Sequence, residues 1–197
     1  MIVGYHIIFG AYGFWLPNDP RGSFSTFVGL KPLFHFAGPA TTTSSSRSLA
    51  HQPHDAVKRR AAKKLLPHRP VRWNAIQIRV VGRGFANYLK THDCTIRACA
   101  VMRDHVHLVV GRLPMSAERL VIQLKEAAVK ELLARECHPF QNERDANGKL
   151  PKSFVRGQWI AYLEPGDVGR SIEYVEKNPA QQGLPSQRWS FVTSVGR

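Results

Sequence analysis

Apolar and polar positions change period several times along this chain, and each change marks an element. The opening apolar run is broken by His6, Gly10 and Gly13, which predicts a strand over 2–9 followed by a turn rather than a signal peptide. Residues 13–72 are rich in Pro and Gly, carry a low-complexity run at 41–46, and predict a long irregular insertion. Within it, Asp55 is placed to cap a short helix over 55–66. Ile76, Val80, Phe85 and Leu89 fall roughly on one side of a helix over 74–91. Strands follow over 94–102 and 105–112, and Arg103–Asp104 joins them as a hairpin. Ser116 caps a helix to about residue 135, with Leu120, Leu124, Ala128 and Leu132 as its buried stripe. A polar loop over 138–156, a strand over 158–163 and a helix from 167 to about 178 complete the chain. This order predicts an α+β fold, the ferredoxin-like β-α-β-β-α-β sheet with an appended C-terminal helix, within a single domain over 1–197.

Composition adds a partner class. The 197 residues hold 28 Lys and Arg against 14 Asp and Glu, a net charge of +14. With 43% hydrophobic residues the chain is not a disordered basic tail, so a folded basic protein with a polyanion partner is expected. Between 56 and 92 there is no acidic residue and there are ten basic ones. Nucleic acid is the first candidate for such a surface, and an anionic membrane the second. No run of 18 uncharged apolar residues suggests a membrane helix. Cys94, Cys99 and Cys137 are odd in number and lack a C-x-x-C, which predicts reduced structural thiols in a cytoplasmic protein.

Two local patterns carry chemistry. In Asp104-His105-Val106-His107-Leu108-Val109-Val110, strand alternation puts both imidazoles on one face, about 7 Å apart at Cα, where they can reach one metal ion. Nine histidines scattered at random give about 0.4 such pairs, so the pair alone identifies nothing. On the last predicted helix, Tyr174 and Asn178 are one turn apart and share a face. Pro179 is expected to end that helix at Asn178, with Gly183 allowing the following turn.

Three blocks together resemble a known family. They are Tyr5-His6-Ile7-Ile8-Phe9 with Tyr12-Gly13-Phe14-Trp15-Leu16-Pro17, the segment 98–110 around the histidine pair, and Tyr174-Val175-Glu176-Lys177-Asn178-Pro179 with Gly183-Leu184 and Trp189-Ser190. In this order and spacing the chain is similar to the single-tyrosine transposases of the HUH endonuclease superfamily, in particular the REP-associated tyrosine transposases and their insertion-sequence relatives. The resemblance implies that Tyr174 is the nucleophile, attacking a phosphate in single-stranded DNA to leave a 5′-phosphotyrosine bond and a free 3′-hydroxyl. It implies that His105, His107 and Asn178 hold a divalent metal, Mg or Mn, and that the target is a hairpin beside a short single-stranded cleavage site. The last helix would then be the catalytic helix. Relatives often carry Pro and Asn where this chain has Arg103 and Asp104, and the 13–72 segment is long compared with minimal members.

For gripping DNA, the expected contacts are Arg59, Arg60, Lys63 and Lys64, then Arg119, Lys125 and Lys130, with Trp15 and Trp73 as base-stacking rings. Tyr162 is a second tyrosine but lies on a predicted strand without an Asn partner. The alternative is a non-catalytic relative that binds DNA or RNA hairpins, and the sequence leaves room for a homodimer. A water-using two-motif phosphoesterase is disfavoured, because the chain has no H-x-T/S pair.

Overall fold

The computed structural model describes residues 1–43 and 49–193. Among the described residues, nine elements follow in order: β1 (Gly4–Gly10), α1 (Lys31–Ala37), α2 (Ala56–Lys63), α3 (Ala75–Leu89), β2 (Ile96–Val101), β3 (His105–Val110), α4 (Ala117–Ala134), β4 (Trp159–Leu163) and α5 (Pro165–Gln181). The chain divides into two compact units, Met1–Ala11 with Arg72–Arg197, and Tyr12–Val71.

In the first unit the strands lie in the order β2-β3-β1-β4, each antiparallel to its neighbours. With α3 between β1 and β2, and α4 between β3 and β4, this is the ferredoxin-like arrangement. One sheet face presents Ile7, Phe9, Val106 and Leu108, all essentially without solvent. α3 and α4 pack against each other and on the sheet, burying Val81 and Phe85 of one and Leu120, Leu124, Ala128 and Leu132 of the other. They approach closely at Gly84, where an added Cβ would lie 2.7 Å from the Ala127 carbonyl oxygen and the Ala128 Cα. Both helices are capped as their sequences require. Asn74 and Gln77 bond reciprocally at the start of α3, and Ser116 Oγ accepts from the Arg119 amide at the start of α4.

The predicted stripe on α3 is corrected at Ile76, which is 57% exposed, because Ile78 and Val81 take the inward turn. The last helix also differs. α5 does not stop at Asn178 but runs through Pro179 to Gln181. Pro179 sits in the final turn, where its missing N–H removes one ladder bond, and it is itself buried. A Schellman closure completes the turn: Leu184 N–H donates to the Pro179 carbonyl, Gly183 N–H to that of Ala180, and Gly183 takes a φ of 67°. At the other end, Pro165 occupies the first turn and the Glu164 amide donates to Asp167. α5 packs on the sheet face opposite α3 and α4, the face that carries the histidines.

The second unit is not irregular. α1 and α2 enclose a small core of Leu16, Leu33 and Ala62, joined by Val28, Leu30, Ala37 and Leu66. Polar groups secure the loops around it. Asn18 Nδ2 donates to the carbonyls of Leu33 and Gly38, and buried Asp19 pairs with Arg21 at 2.7 Å. Ser23 and Thr42 form a parallel bridge. Asp55 caps α2 by accepting from the Lys58 amide at 2.8 Å. α1 escapes detection in the sequence because it is short and its aromatic residues, Phe34 and Phe36, point outward rather than following an apolar stripe. The 41–46 run lies partly outside the described residues. Among the described residues no helix is long and apolar enough to cross a membrane.

Candidate active site

β3 is central in the sheet and covered on both faces, so all six of its residues are buried. Val106, Leu108 and Val110 face α3 and α4, and alternation sends His105 and His107 to the α5 face. There the two rings stand edge to face with centroids 4.8 Å apart, and their Nε2 atoms are 3.0 Å apart. At that separation one ring donates to the other, the donor being set by the tautomers.

A third imidazole, not expected from the spacing along one strand, completes the group. In the β1–β3 and β1–β4 pairings His6 lies opposite Val109 and Ala161, on the same face as the histidine pair. Its Nε2 is 3.2 Å from His107 Nδ1, and its ring stacks on that of His107 with centroids 5.4 Å apart. Trp159 of β4 closes the far side of His6 edge-on at 5.7 Å. The sequence signal was present as Tyr5-His6-Ile7, where alternation opposes His6 to Ile7 and Phe9. Placing it beside His107 needs the strand pairing.

α5 supplies the reactive candidate. Val175, Asn178 and Pro179 anchor the helix to the sheet as its buried residues. Tyr174, one turn before Asn178, remains 45% exposed, while its ring lies edge-on to His107 at 5.6 Å and to His6 at 5.9 Å. Asn178 is 5% exposed, and its Nδ2 is buried without a hydrogen-bond partner. The two ends of an amide are distinguished only by their partners, so this end can equally present oxygen. A buried amide end in need of a partner, on the helix that brings Tyr174 to the imidazoles, fits the donor chemistry of a divalent-cation site. Among the described residues no three His, Cys, Asp or Glu side chains group so that they could hold a metal ion by themselves. Tyr162 points the other way. It pairs with Tyr5 across β1–β4, in register with Ile7 and its partner Ile160, on the face opposite the histidines.

Burial sets the charge state of the site. It pushes the His6 pKa down to about 4 and that of His107 well below the usual imidazole range, with His105 and His6 lowering His107 further. Both rings are therefore neutral at physiological pH, the form that offers a lone pair to a metal.

The expected DNA contacts separate on inspection. Trp73 is wholly buried against Phe154, so it offers no stacking face. Lys125 is also withdrawn from that role. Its Nζ donates to the carbonyls of Val155, Arg156 and Gly157 and lies 5.4 Å from the Phe9 ring, clamping the segment before β4. Arg119 and Lys130 are exposed on α4. In the second unit Arg60 and Lys64 are exposed and Arg59 is half-buried, while Lys63 Nζ donates to the Phe14 carbonyl at 2.8 Å. Trp15 is half-buried, donates to the Gly22 carbonyl, and carries the Arg21 guanidinium 3.7 Å from its ring centre.

No family model and no curated protein matches this chain. Among solved structures, it is similar to a REP-associated tyrosine transposase bound to a REP hairpin, with 12% identity and a TM-score of 0.46, over 96% of this chain and 74% of that one. It is also similar to a protein from Deinococcus radiodurans R1 assigned as a transposase, with 15% identity and a TM-score of 0.37, over 90% of this chain and 91% of that one. Both likenesses are remote, and what the site can do follows from its own side chains.

Proposed function

We propose that this chain is a metal-dependent transposase that nicks and rejoins single-stranded DNA near hairpins through a covalent bond to Tyr174. The observation that carries this reading is the position of Tyr174: exposed to an incoming strand, edge-on to His107, and one helical turn from buried Asn178.

His105 Nε2, His107 Nε2 and the Asn178 amide oxygen would hold a divalent ion, Mg or Mn, whose chemistry when bound is to draw charge from the phosphate oxygens. The protein's own groups do the rest. A phenol is a weak nucleophile near neutral pH and needs alignment and charge relief at its target. The rigid sheet and the capped, buried end of α5 supply that alignment by fixing the Tyr174 ring over the imidazoles. The phenolic oxygen gives up its proton and forms the bond to phosphorus. The bond from phosphorus to the 3′ oxygen breaks, and that oxygen leaves as a free hydroxyl once it takes a proton. Phosphodiester energy is retained in the tyrosyl ester, so attack by a second 3′-hydroxyl can rejoin strands without a nucleotide cofactor. Exposed Arg60, Lys64, Arg119 and Lys130 are the proposed backbone contacts.

The test is incubation with labelled single-stranded hairpin DNA and Mn or Mg, followed by a denaturing gel. A protein–DNA adduct that disappears in Tyr174→Phe is expected. An adduct surviving that substitution overturns the nucleophile. Cleavage without an adduct indicates attack by water, and binding without either indicates a non-catalytic hairpin-binding protein.

A further inference from the structure

The ten phenylalanines are unevenly divided between interior and surface. Six are buried or half-buried, and the other four, Phe24, Phe27, Phe34 and Phe36, are between 43% and 73% exposed. All four fall within residues 24–36 of the second unit. Phe34 and Phe36 project from α1, which Leu33 anchors in the small core shared with Ala62 of α2. The Phe34 amide donates to the Leu30 carbonyl at 3.0 Å, and its own carbonyl accepts from Gly38 at 2.8 Å. Phe27 is backed by Gly29, where an added Cβ would lie 3.2 Å from the ring. Rings held this way on a folded scaffold and left in solvent mark a contact surface.

Charge says what the surface meets. Both acidic residues of the unit are used internally, Asp19 in its pair with Arg21 and Asp55 as the cap of α2. Exposed Lys31 lies on α1 among the rings, and exposed Lys58 and Arg60 lie on α2, which packs against α1. Aromatic rings interleaved with uncompensated cations are what an unpaired nucleic-acid strand requires, because its bases stack and its phosphates need counter-charge. We propose that Phe24, Phe27, Phe34 and Phe36 form a stacking platform for the unpaired bases of single-stranded DNA, with Lys31, Lys58 and Arg60 holding the phosphates between them. This rests on the DNA-handling reading given above. A membrane surface fits less well. Phe34 and Phe36 stand about 200° apart around α1 and cannot enter one flat interface together, whereas a strand can wind past both. The platform supplies the stacking that buried Trp73 cannot.

Fluorescence anisotropy of the full-length protein with a labelled strand of about 16 thymidines, and with an abasic strand of equal length, separates stacking from charge. The parent should prefer the thymidine strand. The double variant Phe27→Ala with Phe34→Ala should bind thymidines at least about fivefold more weakly. It should bind the abasic strand as the parent does and keep the parent's slope of log affinity against log salt, since stacking releases no counterions. Phe34→Trp should bind as tightly as the parent or more so, while Phe34→Leu, apolar but without a ring, should be weakened. Undiminished thymidine binding by the double variant, an equal loss on both strands, or parent-like binding by Phe34→Leu overturns the proposal. So does binding to phosphatidylserine vesicles that the double variant loses while its thymidine binding stays intact. A parent that prefers bases over abasic sugar yet forms no adduct with hairpin DNA contradicts only the catalytic reading. A parent that forms the Tyr174 adduct while the double variant binds thymidines undiminished contradicts only the platform.

Discussion

Asn178 illustrates how a single side chain can work against stability. A buried polar atom without a partner costs about 1–3 kcal/mol, and Asn178 Nδ2 is such an atom. Asn178→Leu should therefore leave the denaturation midpoint unchanged or raised, while Mn affinity falls by more than about tenfold. A large loss of stability in that variant would make Asn178 a structural residue instead. Lys125 gives a pH prediction. Burial pushes its pKa down to about 8 from the usual 10.5, so between those values the unfolded chain holds more protons than the folded one. Stability attributable to this residue should rise as pH goes from about 8 to 10.5 and be flat below 8. Chemical denaturation across that range should show the rise in the parent and lose it in Lys125→Met. The histidine pair and the Tyr174–Asn178 pair were legible because each lies within one element with a fixed period. His6 was not, because its partners are on other strands. Trp73 and Lys125 show the converse limit: residue type suggested a surface role, and tertiary packing took both side chains inward.

Among the elements, α3 was legible from its apolar spacing, α4 from its stripe and the Ser116 cap, and β2 and β3 from the tight connection between them. The end of α5 was not. Pro179 is a helix breaker by its own preference, but burial of Asn178 and Pro179 together with the Gly183 closure carries the helix one turn further. That extra turn keeps Asn178 inside the helix, where it is buried. Gly183→Ala should cost about 1 kcal/mol, because its φ of 67° suits glycine. At the α3–α4 contact, Gly84→Ala places a methyl group against backbone that cannot move aside. A loss of about 1–3 kcal/mol is expected in urea unfolding, and an unchanged midpoint would show that the two helices can separate without penalty.

At the scale of the whole molecule, the charge is unevenly divided. Residues 12–71 carry nine Lys or Arg and two Asp or Glu, a net +7, half of the total +14 in under a third of the chain. The sequence located this concentration but not its scaffold, since α1 and the Leu16–Leu33–Ala62 core depend on contacts between segments far apart in the chain. If these charges hold DNA, affinity for a single strand should fall steeply with salt. The double variant Arg60→Ala with Lys64→Ala should reduce the slope of log affinity against log salt by about 1.4, near 0.7 for each lost contact to a single strand. A slope unchanged by that variant would place the DNA elsewhere.

The central claim is that Tyr174 becomes covalently joined to DNA. It is tested most directly by digesting the protein after reaction with hairpin DNA and Mn, then identifying the nucleotide-bearing peptide by mass spectrometry. The account predicts a 5′-phosphorylated nucleotide on Tyr174, and none in His107→Ala or Tyr174→Phe. A nucleotide on Tyr162 or any other residue, or cleaved DNA with no modified peptide, would contradict it.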